Sequence, residues 1–583
     1  MSEQTPQNTP ENIAPENIPK PVKLRIWPAV AVGVFQVAGG WLAVRLASTN
    51  VESGMAIGLV PLASSLLLLL WWITASRAPW RDQIAGAALY LLAVAAVVFS
   101  QATPAMGGLL LALALPALTV TLAAAFAVTV PVPWKQRRLL LALCVIVCAG
   151  VYCAKRVDEI GGDLLPVVSW RWTPDTEARS AAVSGLSVNG TAELPAEVAP
   201  EDWPLFRGRN QDGRAPGVVF STDWAGKPPR EVWRRPVGSA WSSFTVVGNY
   251  LFTQEQRGGV ELVTCYRADT GEPVWANSVE ARFEDAMGLG PRSTPTYDRG
   301  RLYTQGCTGI LQCIDAATGE TLWRRDVPGD TGGKVPSFGI SCSPLVVGDL
   351  VVQFSSAGEG KSAIAYRRDT GEPAWTAGKD TDLYSSPHYS VIGGVPQILM
   401  TCDYGIQSFT PETGALLWDQ EWKVKQYSRC VQPYVEGDSV LVGATGTGGA
   451  KRYRAALKDG KWELTEEWFS REYRPYFNDG VGHKGHFYGY DGDRLVCIDL
   501  ATGKRLWKGE RHGGQVLLLP DMDMLLVLTE KGRLVLVPAV PDAYSETASM
   551  DALNGKTWNH PVIVRNKLYV RNSETAACYE LPM

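Results

Sequence analysis

The chain has 583 residues, of which 46% are hydrophobic and 20% are charged, and it carries a formal net charge of −4 with a pI near 5.9. This length is enough for more than one domain. The mildly acidic balance argues against nucleic acid as a partner.

The N-terminal part begins with a polar tail and continues with five apolar stretches. Residues 1–23 are rich in Pro, Asn and Glu, which predicts a disordered tail. The stretches contain almost no charged residue, and most approach or exceed the ~20 residues that span a bilayer. They predict a five-helix transmembrane domain over residues 24–156, since buried helices of a soluble domain, the alternative, would keep a polar face. The stretches are Leu24–Leu46, Gly54–Ala75, Ile84–Gln101, Ala105–Val130 and Leu139–Ala154.

Basic residues are distributed unevenly over the loops that join these stretches. By the positive-inside rule, eight on one side against three on the other predict a cytoplasmic N-terminus and place everything after the fifth helix outside. In a two-membrane bacterium this describes an inner-membrane protein with a periplasmic C-terminal part. The helices then serve as an anchor or as a unit that contacts quinone. The inner set is Lys20, Lys23, Arg25, Arg77, Arg81, Lys135, Arg137 and Arg138, and the outer set is Arg45, Lys155 and Arg156.

Residues 157–202 have the small, polar and proline-spaced composition that is typical of a linker. Within them, Trp170-Arg171-Trp172 is predicted to be an aromatic anchor at the bilayer surface. Docking onto the following domain is the alternative for this tripeptide.

One sequence motif, which we call the recurring phrase, is found several times in the C-terminal part. In it a small residue is followed by Thr-Gly and then by Trp. The glycines of four copies, Gly271, Gly319, Gly371 and Gly414, are 48, 52 and 43 residues apart, and Gly503 follows after 89, which leaves room for one more copy. Each phrase joins a half-buried strand to a second strand through a glycine turn. Repeats of roughly 40–50 residues built from short strands are typical of a β-propeller.

The number of blades follows from the openings of the innermost strands, which start with a small or polar triplet. Eight such openings occur, at 242, 293, 342, 385, 431, 479, 515 and 559. The chain ends before a fourth strand of blade eight, and we expect the segment EVWRRPV at 231–237 to supply that strand and close the ring. The prediction is an eight-bladed propeller over residues 203–583, with a seven-bladed ring and a loose tail as the alternative.

The repeated phrase resembles the tryptophan-docking repeat of propellers of the pyrroloquinoline quinone (PQQ) type. The segment WPLFRGRNQDGRAPG at 203–217 is similar to the start of many PQQ-binding-like repeat proteins. One branch of this family, the quinoprotein dehydrogenases, oxidises alcohols or sugars, and its membrane-bound glucose dehydrogenase type also has five N-terminal helices. Another branch contains the scaffold protein of the outer-membrane β-barrel assembly machinery, which has eight blades and no cofactor. Blades below 50 residues with few insertions resemble the scaffold branch.

The strand openings also define a ring of candidate binding residues at the mouth of the central channel. If PQQ is bound, as the dehydrogenase branch implies, it needs cations for three carboxylates, an oxygen-rich Ca²⁺ site and a carboxylate base. Arg292 and Arg429 could pair with carboxylates, and Trp241 or Trp558 could stack on a flat ring. Asp479 is the candidate base and, with Asn478 or Asn559, a candidate Ca²⁺ ligand. Tyr384 completes the set, and the alternative is that all these residues bind each other and water.

Two functions therefore follow from the sequence. The first is a membrane-anchored binding or scaffolding module for a small ligand or an envelope protein at the channel face. The second is a PQQ- and Ca²⁺-dependent alcohol or sugar dehydrogenase that passes electrons to membrane quinone, with Asp479 as the base.

Overall fold

A computed structural model describes residues 24–46, 50–161, 165–175, 178, 189–381, 383–424, 429–446 and 448–583. The predicted disordered tail 1–23 lies outside the described residues. The chain forms two compact units that divide between Val157 and Asp158. The sequence prediction of five apolar helices followed by an eight-bladed propeller is confirmed.

The first unit consists of five helices that are each long and apolar enough to cross a membrane. The helix α4 packs against α1, α3 and α5 and is the most buried of them. Ser65 of α2 lies 2.7 Å from the Tyr90 hydroxyl of α3 and 3.3 Å from the Thr119 hydroxyl of α4, so that these polar groups satisfy one another inside the bundle. The helices are α1 (Trp27–Leu46), α2 (Asn50–Thr74), α3 (Trp80–Phe99), α4 (Pro104–Val128) and α5 (Trp134–Cys153).

The helix α5 begins five residues before its predicted apolar stretch and therefore takes in the basic segment KQRR. Pro133 precedes its first turn, where a proline costs no helical hydrogen bond. Arg137 donates to the Phe126 carbonyl at 2.6 Å and to the Thr129 hydroxyl at 3.0 Å, and so satisfies an otherwise unpaired carbonyl at the end of α4. The apolar pattern did not predict this first turn of α5 because its side chains are basic, and one of them binds the end of α4.

The second unit is a ring of eight four-stranded antiparallel blades. The first four blades follow one another directly along the chain, and each innermost strand begins within three residues of a predicted opening. A short helix α6 (Val327–Thr331) follows blade two. The strands of these four blades, blade by blade, are Thr245–Val247, Tyr250–Arg257, Val260–Arg267 and Pro273–Glu280; Thr296–Asp298, Arg301–Gln305, Ile310–Asp315 and Thr321–Asp326; Leu345–Val347, Leu350–Phe354, Ala363–Arg367 and Pro373–Ala377; His388–Ile392, Val395–Cys402, Gly405–Phe409 and Leu416–Glu421.

The last four blades include the one that closes the ring. The strand Arg230–Pro236 pairs with Thr575–Glu580 as the outermost strand of blade eight, which confirms the expected closure by both chain ends of the propeller. The strands are Tyr434–Glu436, Ser439–Ala444, Gly449–Lys458 and Lys461–Ser470; Val481–His483, His486–Asp491, Arg494–Asp499 and Arg505–Arg511; Gln515–Leu519, Met524–Leu528, Arg533–Pro538 and Ala548–Asp551; Val562–Val564, Lys567–Arg571 and Thr575–Glu580.

Within the described residues, the recurring phrase joins neighbouring blades at five of the eight blade junctions. Trp275 of blade one donates its indole N–H to the Ala316 carbonyl of blade two at 3.1 Å and packs on Gly319. Gly319 has φ +78°, and a Cβ there would lie 2.7 Å from the indole ring, so the turn and the close approach both require glycine. Cys265, directly opposite Trp275, leaves room for the ring. The same packing recurs as Trp233 on Gly271, Trp323 on Gly371, Trp375 on Gly414 and Trp468 on Gly503.

The C-terminal end of the predicted linker lies against the propeller. Gly190 N donates to the Val274 carbonyl and Ala192 N to the Ala317 carbonyl, both at 2.8 Å, and Ala192 is buried among residues of blades one and two. Trp170 and Trp172 stack with ring centroids 4.9 Å apart. Two short strands, Lys155–Ile160 and Pro166–Trp170, complete the regular structure of this region.

Candidate functional site

Residues 203–217, which we call the channel strap, extend across the central channel of the propeller. Backbone bonds join Trp203 and Pro204 to the innermost strands of blades one and two, and Gly213 to that of blade seven. The Gln211 side chain donates to the Pro387 carbonyl beside blade four at 2.9 Å. Because the innermost strands line the channel, a segment bonded to blades one, two, four and seven must cross it.

A buried ion pair holds the strap in place. Arg207 Nη1 lies 3.2 Å from Asp479 Oδ1, and both side chains are 5% exposed. Arg207 also donates to the Gly480 carbonyl at 2.5 Å. The Asp479 carboxylate accepts from the Gln432 backbone N–H at 2.8 Å, and His560 Nε2 lies 3.3 Å from its other oxygen. The predicted base is therefore engaged by three groups of the propeller itself.

The charges of this cluster follow from burial and from Arg207. Burial raises the pKa of Asp479, but the positive charge of Arg207, the nearby His560 and the hydrogen bond from the Gln432 backbone outweigh it, so this pKa lies below its usual value. Burial lowers the pKa of His388 to about 4, and the charge of Arg207 adds to that effect. Burial lowers the pKa of His560 too, against the attraction of Asp479. The cluster thus contains one ion pair and two neutral imidazoles at neutral pH.

We expect the propeller to lose stability as the pH falls from 6.5 towards 4. In that window the unfolded chain binds a proton at His388 and the folded chain does not, because the folded pKa is about 4 and the ordinary value is 6.5. The urea midpoint of the full-length protein, followed by tryptophan fluorescence, should fall less between pH 7 and 4.5 in His388→Gln than in the wild type. Equal falls in both proteins would contradict this assignment.

At the mouth of the channel, a lysine contacts both of the predicted stacking tryptophans. Lys556 Nζ is 3.8 Å from the centroid of the Trp558 ring and 4.8 Å from that of Trp241. It also lies 3.2 Å from a Glu159 oxygen and donates to the Ile160 carbonyl at 2.7 Å. Burial lowers the pKa of Lys556, and the attraction of Glu159 opposes that change. The mouth is therefore covered by residues that precede the propeller in the chain.

The other predicted mouth residues are bound within the propeller. Arg292 Nη2 lies 2.8 Å from Asp285 Oδ1. Arg429 is almost wholly buried and donates to the Cys402 carbonyl at 2.5 Å. Asn478 donates to the Gly514 carbonyl at 2.6 Å, and Asn559 to the Ser242 carbonyl at 2.7 Å. The buried Tyr384 ring lies 5.6 Å from Phe338.

The strand openings predicted from the sequence lie together at the mouth, but the sequence did not identify Arg207 or Lys556 as residues of the site. A signal existed for Lys556, which lies two residues before Trp558 in the NGKTW turn. Arg207 lies in the segment that the sequence identified by resemblance alone. Its place in the channel depends on bonds to residues of blades far along the chain, such as Gly480.

PQQ with Ca²⁺ does not fit these residues as they are arranged. The basic side chains at the mouth are already bonded to oxygen atoms of the chain. Arg292 and Arg429 bind within the propeller, and Lys556 binds Glu159, which precedes it. Asp479 is neutralised by Arg207. In the described part of the chain, no cluster of three or more His, Cys, Asp or Glu residues could hold a metal ion.

Several buried polar atoms at the mouth have no hydrogen-bond partner within the described residues. They include the indole nitrogens of Trp241 and Trp558, Asn559 Oδ1 and the side-chain amide of Gln432. Buried polar atoms of this kind normally bind water. These atoms are available to water or to a ligand.

These features define an eight-bladed propeller of the PQQ-like repeat class that follows five apolar helices. The family model described as "Outer membrane protein assembly factor BamB" matches residues 225–391 and 403–577. The chain belongs to this family, as the repeats led us to expect.

Three individual proteins that resemble this chain share little sequence identity with it. BamB of Shewanella oneidensis is 23% identical over 322 residues, which cover 52% of this chain and 75% of that protein. The structure of BamB from Moraxella catarrhalis is 14% identical, with a TM-score of 0.45 over 60% of this chain and 100% of that one. A quinohemoprotein alcohol dehydrogenase of Pseudomonas putida HK5 is 13% identical, with a TM-score of 0.48 over 67% of this chain and 83% of that one. Likenesses of this size carry no argument about activity.

Proposed function

We propose that the propeller is a binding or scaffolding module for an envelope protein and that the five helices anchor it in a bacterial inner membrane. The observation that carries this proposal is the channel strap, which crosses the central channel and is fixed there by the Arg207–Asp479 ion pair. Because the strap closes the channel, the outer surfaces of the propeller remain available to bind a partner protein. The description of its family as an outer membrane protein assembly factor supports an envelope protein as the partner.

The orientation in the membrane is part of the proposal. Arg77, Arg81 and the basic segment at 135–138 flank the ends of α2–α3 and α4–α5 on one side of the bundle, which by the positive-inside rule is the cytoplasmic side. Five crossings then put the propeller in the periplasm, where an envelope partner would meet it.

The mouth face offers the chemistry of a protein-binding surface. Val335 and Phe338 lie in the loop between blades two and three and are 40% and 39% exposed. The Phe338 carbonyl accepts a hydrogen bond from Arg292, and its ring packs on Tyr384, so this aromatic side chain is held rigidly at the mouth. Rigid, partly exposed aromatic residues are typical of binding hot spots. We place the partner contact on this loop.

A photo-crosslinking residue at position 335 tests this contact in cells. We expect a covalent adduct with an envelope protein, and we expect Phe338→Glu to remove it because a charge would be buried in the contact. Leu322→Glu is the matched control, since Leu322 is similarly exposed but lies on the outer strand of blade two. An adduct with a cytoplasmic protein, or one that survives Phe338→Glu, would contradict the proposal.

The alternative function is a PQQ- and Ca²⁺-dependent alcohol or sugar dehydrogenase that passes electrons to membrane quinone. The tryptophan pair at the mouth favours it, because Trp241 and Trp558, whose centroids are 5.0 Å apart, could stack on a flat ring if Lys556 moved away. The pairing of Asp479 with Arg207 and of Arg292 with Asp285 weighs against it. The assignment of Asp479 as a base stays a prediction.

A further inference from the structure

The helical unit contains a cavity of about 360 Å³ between α2, α3, α4 and α5. Its walls are apolar side chains, among them Leu68, Leu89, Leu122 and Val145, and one end carries charged and aromatic residues. This volume lies in the range of ligand sites. An apolar cavity of this kind inside membrane helices suits a hydrocarbon chain.

Charged and aromatic side chains that bind one another form a rim at one end of the cavity. Asp82 of α3 accepts from the Trp134 indole N–H at 2.8 Å and lies 3.2 Å from Arg138 Nη1, so α3 and α5 are joined at this point. The Arg138 side chain remains 51% exposed, and its planar guanidinium has further donors beyond the one that faces Asp82. The rim can therefore bind a second anion at the membrane surface.

The opposite end of the cavity is closed by Tyr90. The Tyr90 hydroxyl is bonded to Ser65, which in turn contacts Thr119, so these groups satisfy each other and not an occupant. Eight residues of α3 separate Asp82 from Tyr90, which at 1.5 Å per residue gives a depth of about 12 Å. The cavity thus has one polar, positively charged entrance and one closed apolar end.

We propose that this cavity binds one acyl chain of an anionic phospholipid, with its phosphate at Arg138. The two segments that form the rim, 75–82 and 129–138, carry Arg77, Arg81, Lys135, Arg137 and Arg138 against Asp82 alone. This excess of positive charge favours an anionic headgroup over a neutral one. The lipid would fill the space between α3 and α5 and join the two helices. This site is separate from the propeller and does not depend on the function proposed for it.

Native mass spectrometry of the full-length protein tests the site. Delipidated protein is mixed with equal amounts of phosphatidylglycerol and phosphatidylcholine that have the same acyl chains, and bound lipids are counted. We expect one phosphatidylglycerol to be retained in clear excess. Arg138→Gln should lower the ratio of the two lipids by about tenfold, the loss expected for one charge-assisted phosphate contact. Lys155→Gln, just beyond the opposite end of α5, removes the same charge away from the rim and should leave the ratio close to that of the wild type.

Filling the cavity provides the second test. Ala142→Phe, which points a large side chain into the cavity, should abolish retention of both lipids. Leu143→Phe on the outward face, where Leu143 is 54% exposed, should leave retention unchanged. If Ala142→Phe does not fold, Ala85→Leu fills the entrance from α3. Equal retention of the two lipids, or normal binding in a cavity-filled variant, would overturn the proposal.

Discussion

Replacing Asp479 by alanine should lower the free energy of unfolding of the propeller by about 3–5 kcal/mol, the cost of leaving one partner of a buried ion pair uncompensated. The carboxylate holds Arg207 at 3.2 Å and accepts from the Gln432 backbone, so its loss leaves a buried guanidinium and an unpaired N–H. The strap should then become mobile. Denaturant unfolding of the full-length protein and hydrogen exchange of residues 203–217 measure the two effects.

A double variant distinguishes the ion pair from simple packing. Arg207→Met with Asp479→Leu removes both charges and should be less destabilised than Asp479→Ala alone, since no buried charge remains unpaired. Glu463→Ala is the control for an exposed pair, in which Lys458 Nζ and Glu463 Oε2 lie 2.7 Å apart, and it should cost no more than about 1 kcal/mol. A double variant as unstable as Asp479→Ala would show that the charges are not the cause.

Gly371→Ala should destabilise the propeller by about 2–4 kcal/mol, which combines backbone strain at positive φ with overpacking. Gly371 has φ +72°, and an added Cβ would lie 2.8 Å from the Trp323 ring of the preceding blade. The indole N–H of Trp323 donates to the Arg368 carbonyl at 2.9 Å, so moving the ring also strains this bond. Thermal and denaturant unfolding measure the loss.

Gly348→Ala separates the two contributions. Gly348 also has positive φ, +56°, and lies in the same blade, but no atom lies within 4 Å of the position a Cβ would take. It should therefore cost only the backbone strain, about 1 kcal/mol. If the two variants lose the same stability, the docking of Trp323 on Gly371 does not hold the blades together.

The architecture could be predicted from the sequence because most repeats contain the residues that form the contact between blades. Trp275 and Gly319 occupy fixed positions in their phrases, so their period marks the blade length. The closure of blade eight was predictable for the same reason, since Trp233 identifies Arg230–Pro236 as a missing outer strand. Local chemistry and global fold agree in these elements.

The centre of the propeller could be predicted only in part. The strand openings placed Asp479, Trp241 and Trp558 at the channel mouth, because each repeat positions its own opening. Arg207 and Lys556 are the partners of these residues. They lie in the channel strap and in a turn, which are not part of the repeat pattern. Their contacts depend on how distant blades meet in three dimensions, which a period along the chain does not contain.

Calorimetric titration of PQQ with Ca²⁺ into the full-length protein in detergent tests most directly whether the channel is closed by its own chain. Because Arg207 and Arg292 are bonded within the propeller and Lys556 is bonded to Glu159 before it, we predict no heat beyond dilution at high PQQ concentration. Binding at micromolar concentration or tighter that is lost in Arg292→Ala and Trp558→Ala would contradict this account and would favour the dehydrogenase.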